Sequence, residues 1–127
     1  MAEWEEVQSA ARAAYVLDRD ETHEFAVTLP VGGGRAQRVM VRRFDALDTV
    51  MVELRSAFAE QDELTPAQVL DDNLDLALGA LARHGRYYVV VHKVALEHST
   101  VRAVLFYMTR IARIADSLEE QQGQDRF

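Results

Sequence analysis

Apolar residues recur along this chain first at helical spacing, then at every second position, and again at helical spacing toward the end. Trp4, Val7, Ala11, Ala14 and Tyr15 share one side of a predicted amphipathic helix over Trp4–Leu17, with Glu5, Glu6, Gln8 and Arg12 on the other. Asp18 to Glu21 is a polar run without an apolar period and predicts a break. From Glu24 the period becomes two: Phe25, Val27 and Leu29 alternate with Ala26 and Thr28, and Pro30 closes a first strand. Gly32–Gly34 predicts a reversal, because glycine accepts the positive φ of a tight turn. A return strand follows over Arg38–Arg43, a second turn over Asp45–Asp48, and a third strand over Thr49–Arg55. In these strands Val39, Val41, Val50, Val52 and Leu54 point one way. Arg38, Met40, Arg42, Met51, Glu53 and Arg55 point the other, so the three strands form an antiparallel meander.

Thr65-Pro66-Ala67-Gln68 is a helix start: threonine caps, proline takes the first turn and glutamine reaches back. That helix runs to about Asn73. Alternation of Leu76, Leu78 and Ala80 predicts a fourth strand over Leu74–Ala82, although Leu74, Leu78 and Leu81 also suit a helix face. His84-Gly85 reverses the chain into a fifth strand, Arg86–Leu96, apolar on both faces. Ser99 caps a last helix from Thr100 to about Gln121, whose stripe includes Val104, Met108, Ile111 and Ala115. Phe106, Tyr107 and Ile114 widen it beyond what packing on a sheet needs, and residues 121–127 are expected to fray. The reading is an α+β fold of order α-β-β-β-α-β-β-α, an antiparallel sheet with helices packed on it, forming a single domain over residues 1–127.

Composition narrows the function classes. The 127 residues are 49% hydrophobic and 28% charged, a globular mixture. There is no cysteine, hence no disulfide or thiolate metal site. The start Met-Ala-Glu-Trp-Glu-Glu is acidic where a secretory signal is basic, and the apolar runs Tyr87–Val91 and Ala103–Met108 are short, so a cytoplasmic protein without a membrane partner is expected. A net charge of −7 argues against a general nucleic-acid binder. Arg35, Arg38, Arg42 and Arg43 nevertheless cluster without an intervening acid and form a candidate anion patch, the ordinary alternative being a solvated strand face.

No catalytic residues, metal ligands or cofactor are assigned. His92, Glu97 and His98 lie close in sequence, but mid-strand and helix-start positions do not make one zinc site. Ser56, Ser99 and Ser117 stand in no strained Gly-x-Ser-x-Gly turn. The triglycine joins strands rather than opening a helix, so it is no phosphate loop, and Asp71-Asp72 lacks an opposing carboxylate pair. Asn73, where a helix gives way, is read as structural rather than ligand-binding.

Several segments in order carry a resemblance: Gly34-Arg-Ala-Gln-Arg-Val39, Val52-Glu-Leu-Arg-Ser56, Val69-Leu-Asp-Asp-Asn73 and Ile111-Ala-Arg-Ile-Ala-Asp-Ser-Leu-Glu119. With the element order, the chain resembles the YbjN-like proteins, which share a fold with class I type III secretion chaperones of the Tir-chaperone type. The resemblance implies a noncatalytic, often dimeric domain that binds protein segments or acts in regulation. The expectation is therefore a homodimeric adaptor, chaperone-like or regulatory, that also holds another protein. Its expected interface comprises Tyr87, Val89, Val91, Phe106, Tyr107 and Ile114, where apolar surface exceeds what one small domain hides. The alternative is a regulator that binds nucleic acid or a small anion through the arginine-rich hairpin.

Overall fold

The computed structural model describes residues 2–122, so residues 123–127 of the tail expected to fray lie outside the described residues. The chain folds as α1 (Trp4–Ala14), β1 (Leu17–Glu21), β2 (Glu24–Gly32), β3 (Arg35–Ala46), β4 (Thr49–Glu60), α2 (Pro66–Asn73), β5 (Ala80–His84), β6 (Tyr87–Ala95), a short 3-10 turn (Leu96–His98) and α3 (Val101–Glu120). The strands make one antiparallel sheet in the order β1-β2-β3-β4-β6-β5. The α+β class and helix-on-sheet packing are as expected, with six strands in place of five.

The extra strand is β1, formed by the polar run at 18–21. It sits at the sheet edge, where little core is available, so alternation of apolar residues is absent. Its side chains bond laterally instead. Asp20 takes Gln8 Nε2 and Arg12 Nε from α1, each at 2.7 Å, and the Arg12 guanidinium holds the Asp20 carboxyl below its usual range. Helix α1 accordingly stops at Ala14, and Leu17 belongs to the sheet. Its start is a capping box between Glu3 and Glu6, and Trp4 stacks on Phe25 while donating to the Thr22 carbonyl at 2.8 Å.

Strands β3 and β4 are longer than their apolar alternation suggests and meet in a two-residue turn. Leu47 and Asp48 both take positive φ, at 54° and 58°, a mirror-image turn that matches sheet twist. That turn sets Ala46 opposite Thr49 and Arg42 opposite Glu53. Pro30 does not end β2. It lies past the end of β1, where the strand has no second neighbour and a missing N–H costs little.

The fourth predicted strand, Leu74–Ala82, is the largest correction. Only Ala80–His84 pairs, while Leu74–Gly79 turns, with Leu76 and Leu78 packing on the core and Leu74 exposed. The last helix is capped by Thr100, whose Oγ1 accepts from Ala103 N at 3.0 Å, and not by Ser99, which ends the preceding 3-10 turn.

All three helices lie on one face of the sheet. Trp4, Val7 and Ala11 of α1, Val69 of α2, and Val104, Met108 and Ile111 of α3 join one buried cluster with Phe25, Val41, Leu54 and Val90. A bulge in β4 between Ala57 and Ala59 turns both Phe58 and Ala59 into that cluster, where Phe58 stacks on Tyr88 at 6.4 Å. No helix among the described residues is long and apolar enough to cross a membrane.

Candidate functional site

The other face of the sheet carries no helix, and most of the chemistry singled out above gathers there. Register places Met40, Arg38 and Arg42 of β3 beside Met51, Glu53, Arg55 and Ala57 of β4. Next come Tyr87, Val89, Val91 and Lys93 of β6. Ala80, Ala82 and His84 of β5 lie at one side of this open face, and Glu24, Ala26 and Thr28 of β2 with Asp18, Arg19 and Glu21 of β1 at the other. Val89 is buried but stands outside the helix-side cluster, its neighbours on this face shielding it.

Glu53 organises the centre of the open face. Its side chain is only 7% exposed and its two oxygens are taken by Arg42 Nη2 at 2.9 Å and Arg55 Nη1 at 3.3 Å. A carboxylate this shielded needs cationic partners, and two flank it while Lys93 pairs opposite. Arg42 also lies over the Phe44 ring, 4.7 Å from its centroid, with Lys93 Nζ at 5.9 Å. Arg55 Nη1 further meets His84 Nδ1 at 3.4 Å. The β3–β4–β6 part of the face thus carries four cations against Glu53 and, at the end of β4, Glu60.

A depression of about 370 Å3 lies on this face above the place where β3 and β4 part. Strand pairing between them runs from Ala46–Thr49 only as far as Met40–Arg55. Beyond it side chains replace the ladder: Ser56 Oγ donates to the Arg38 carbonyl at 2.6 Å, and Gln37 Nε2 donates to the Ala57 carbonyl and to Ser56 Oγ. Met40, Ala57 and Val89 form the floor of the depression, and Arg38, Arg55, His84 and Tyr87 its rim. Ser56 lies inside β4. It bridges two strands from the buried side.

The expected interface divides between two sides of the molecule. Tyr87, Val89 and Val91 lie on the open face, whereas Phe106, Tyr107 and Ile114 belong to α3 on the helix side. Of these only Phe106 is well exposed, at 47%, beneath the Arg110 guanidinium at 4.4 Å. Tyr107 packs on the core and on His92, ring centroids 4.6 Å apart. Ile114 floors a groove of about 490 Å3 between α3 and the end of α2, where Asp72 and Asp75 stand across from Arg113.

The arginine patch divides likewise. Arg38 and Arg42 are on the open face. Arg35 turns to α3, where Nη2 meets Asp116 at 2.9 Å and Glu120 at 3.2 Å. Arg43 pairs in register with buried Val52 and meets Asp45 at 3.6 Å, so it too lies off the open face. Sequence proximity failed here because alternate strand residues face opposite ways, and the side chains that join Arg38 and Arg42 come from other strands. Arg55, Glu53, Lys93 and His84 were not singled out from the sequence. The Arg42–Glu53 pairing follows from the turn at 47–48, but the β4–β6 register, shifted by a bulge, has no local signal.

His92, His98 and Asn73 lie apart from the open face. His92 lies on the helix side and His98 meets Glu97 at 3.4 Å, so the two histidines share no site. Among the described residues no three metal-ligating groups converge. Asn73 acts as a short strand at the outer edge of β5: its Nδ2 donates to the Leu81 carbonyl at 3.1 Å and its Oδ1 accepts from Leu81 N. Asn73→Ala is expected to lose about 1–2 kcal/mol by urea unfolding, two net hydrogen bonds.

Burial pushes the His92 imidazole below its ordinary pKa. The unfolded chain then binds a proton more readily than the folded one, so stability is highest above about pH 6.5 and falls as the pH drops through that value. The urea midpoint should fall more between pH 7.5 and 5.5 for the parent than for His92→Leu.

The sequence matches no family model, and no curated protein matches it.

Proposed function

We propose that this protein is a noncatalytic protein-binding adaptor, chaperone-like or regulatory, that works as a homodimer and holds a partner polypeptide on the open face of its sheet. The observation that carries the reading is the uncovered face itself, where Tyr87, Val89 and Val91 of β6 share a side with Ala57 of β4 and Met40 of β3. Both sheet edges are poor docking sites: β1 is short and charged, and β5 is short and covered at Leu81 by Asn73. A partner engaging this sheet would meet its face. The absence of a catalytic role is supported by the polar groups near the face: Ser56 and Gln37 serve the backbone, and Glu53 is held between two arginines. Resemblance to the YbjN-like and type III secretion chaperone group points the same way.

Self-association is assigned to the helix side, where Phe106 is exposed on α3 and Leu70 and Leu74 are exposed on and after α2. Light scattering at micromolar concentration should give twice the chain mass, and a strict monomer would remove the dimer. Phe106→Ala should shift the mass toward the monomer while leaving the thermal midpoint nearly unchanged. Tyr107→Ala, which uncovers His92 and part of the core, should instead lose about 1–2 kcal/mol of stability. The alternative reading, anion or nucleic-acid binding through Arg35, Arg38, Arg42 and Arg43, loses support because those side chains occupy two faces. The partner reading is tested by alanine substitution at Tyr87 and aspartate at Val91: both should abolish co-purification of a bound polypeptide from a folded protein.

A further inference from the structure

We infer that the depression over the β3–β4 split is a carboxylate-binding site, and that the polypeptide held on the open face is an extended acidic segment whose Asp or Glu side chain enters between Arg38 and Arg55. The inference rests on the protein-binding reading and specifies the chemistry of the partner.

The charges of the depression point to an acidic occupant. The lining of the depression holds Arg38 and Arg55 and no acid, while Glu53 beside it already has both oxygens occupied. Other acids of this face, Asp18, Glu21 and Glu24, stand on β1 and β2, away from the Arg55 side of the depression. The two rim arginines are placed for different tasks. Arg55 is only 20% exposed, is fixed through Nη1 by Glu53 and His84, and lines the depression, so engaging it costs little further rotamer freedom. Arg38 is 51% exposed and its nearest acid, Asp18, is 3.8 Å away, a loose contact that a better carboxylate displaces. Met40, Ala57 and Val89 give an apolar floor for the methylenes of a Glu side chain. From there Val91 on β6 continues the apolar surface for neighbouring residues of the segment. A second copy whose depression lay over this one would set arginine against arginine, so the occupant is a different, acidic chain.

Titration of the 15N-labelled protein, followed by amide chemical shifts, tests this with three probes. These are the peptide acetyl-Thr-Val-Glu-Val-Glu-Val-Thr-amide, its Gln-for-Glu counterpart, and sodium benzoate. The Glu peptide should shift the amides of Arg38, Arg55, Ala57 and Val89 saturably and bind about tenfold tighter than the Gln peptide. Arg38→Gln should remove that advantage, while Lys93→Gln, which removes the same charge outside the depression, should change it less than about twofold. Equal binding of the Glu and Gln peptides at the face would overturn the carboxylate site while leaving a protein-binding face. Benzoate saturating the site as tightly as the peptide would overturn the polypeptide occupant. Shifts confined to other surfaces, or no binding of either peptide, would also overturn the inference.

Discussion

Phe58→Ala is expected to lower the unfolding free energy by about 3–5 kcal/mol, the loss typical of a large aromatic removed from a core. Phe58 is 2% exposed and stacks on Tyr88, and the bulge that turns it inward has no function without a large side chain to bury. Small domains hold roughly 5–15 kcal/mol in total, so the variant should lie near the limit of stable folding. Phe44→Ala provides the comparison. That ring lies partly exposed beneath Arg42, and its loss should cost about 1 kcal/mol or less. Guanidinium unfolding of the two variants should separate them clearly. Equal losses would mean that the β4 bulge does not direct Phe58 into the core.

Gly79→Ala is expected to cost about 3 kcal/mol although it adds a single methyl group. Gly79 has φ +74°, a conformation that side chains disfavour. A Cβ there would lie 2.7 Å from the Val91 carbonyl oxygen and 3.4 Å from Ile111 Cδ1. The first neighbour is backbone in the central part of β6 and cannot step aside without disturbing the β4–β6 and β5–β6 pairing. Gly85→Ala is the control. It has a similar φ of +60° but nothing within 4 Å of the added carbon, so it should show the conformational cost alone, about 1 kcal/mol. The difference between the two variants in urea midpoint measures the close approach at Val91.

The same glycine shows why part of the fold was not legible in the sequence. Leu76, Leu78 and Ala80 alternate, and alternation is the signature of a half-buried strand. Leu76 and Leu78 do reach the core, but from a turn that Gly79 ends, and only Ala80–His84 finds a partner. Burial at every second position therefore does not require pairing. At β1 the failure was opposite: Arg19, Asp20 and Glu21 pair without any alternation, because an edge strand satisfies its backbone on one side and its side chains by lateral ion pairs. Where one face was buried and the other open, as in β3 and β4, the period of two assigned Val39, Val41, Val52 and Leu54 to the core correctly.

For the candidate site, the apolar half of the open face was readable and its electrostatics were not. Tyr87, Val89 and Val91 stand together because they alternate along a single strand. Phe106, Tyr107 and Ile114 joined them only on hydrophobicity, a property silent about which side of a sheet a helix covers. Arg38, Arg55 and His84 come together from β3, β4 and β5 through registers set by one turn and one bulge. Proximity of that kind is tertiary and leaves no spacing in the chain.

The most direct test of the open face as a partner surface is site-specific photo-crosslinking, with a benzophenone side chain placed at Val91 on that face or at Ser9 on the outer side of α1. Irradiation in cells that produce the protein is expected to join a second polypeptide to it from position 91 and not from position 9. No adduct from position 91, or the same adducts in equal yield from both positions, would contradict the account.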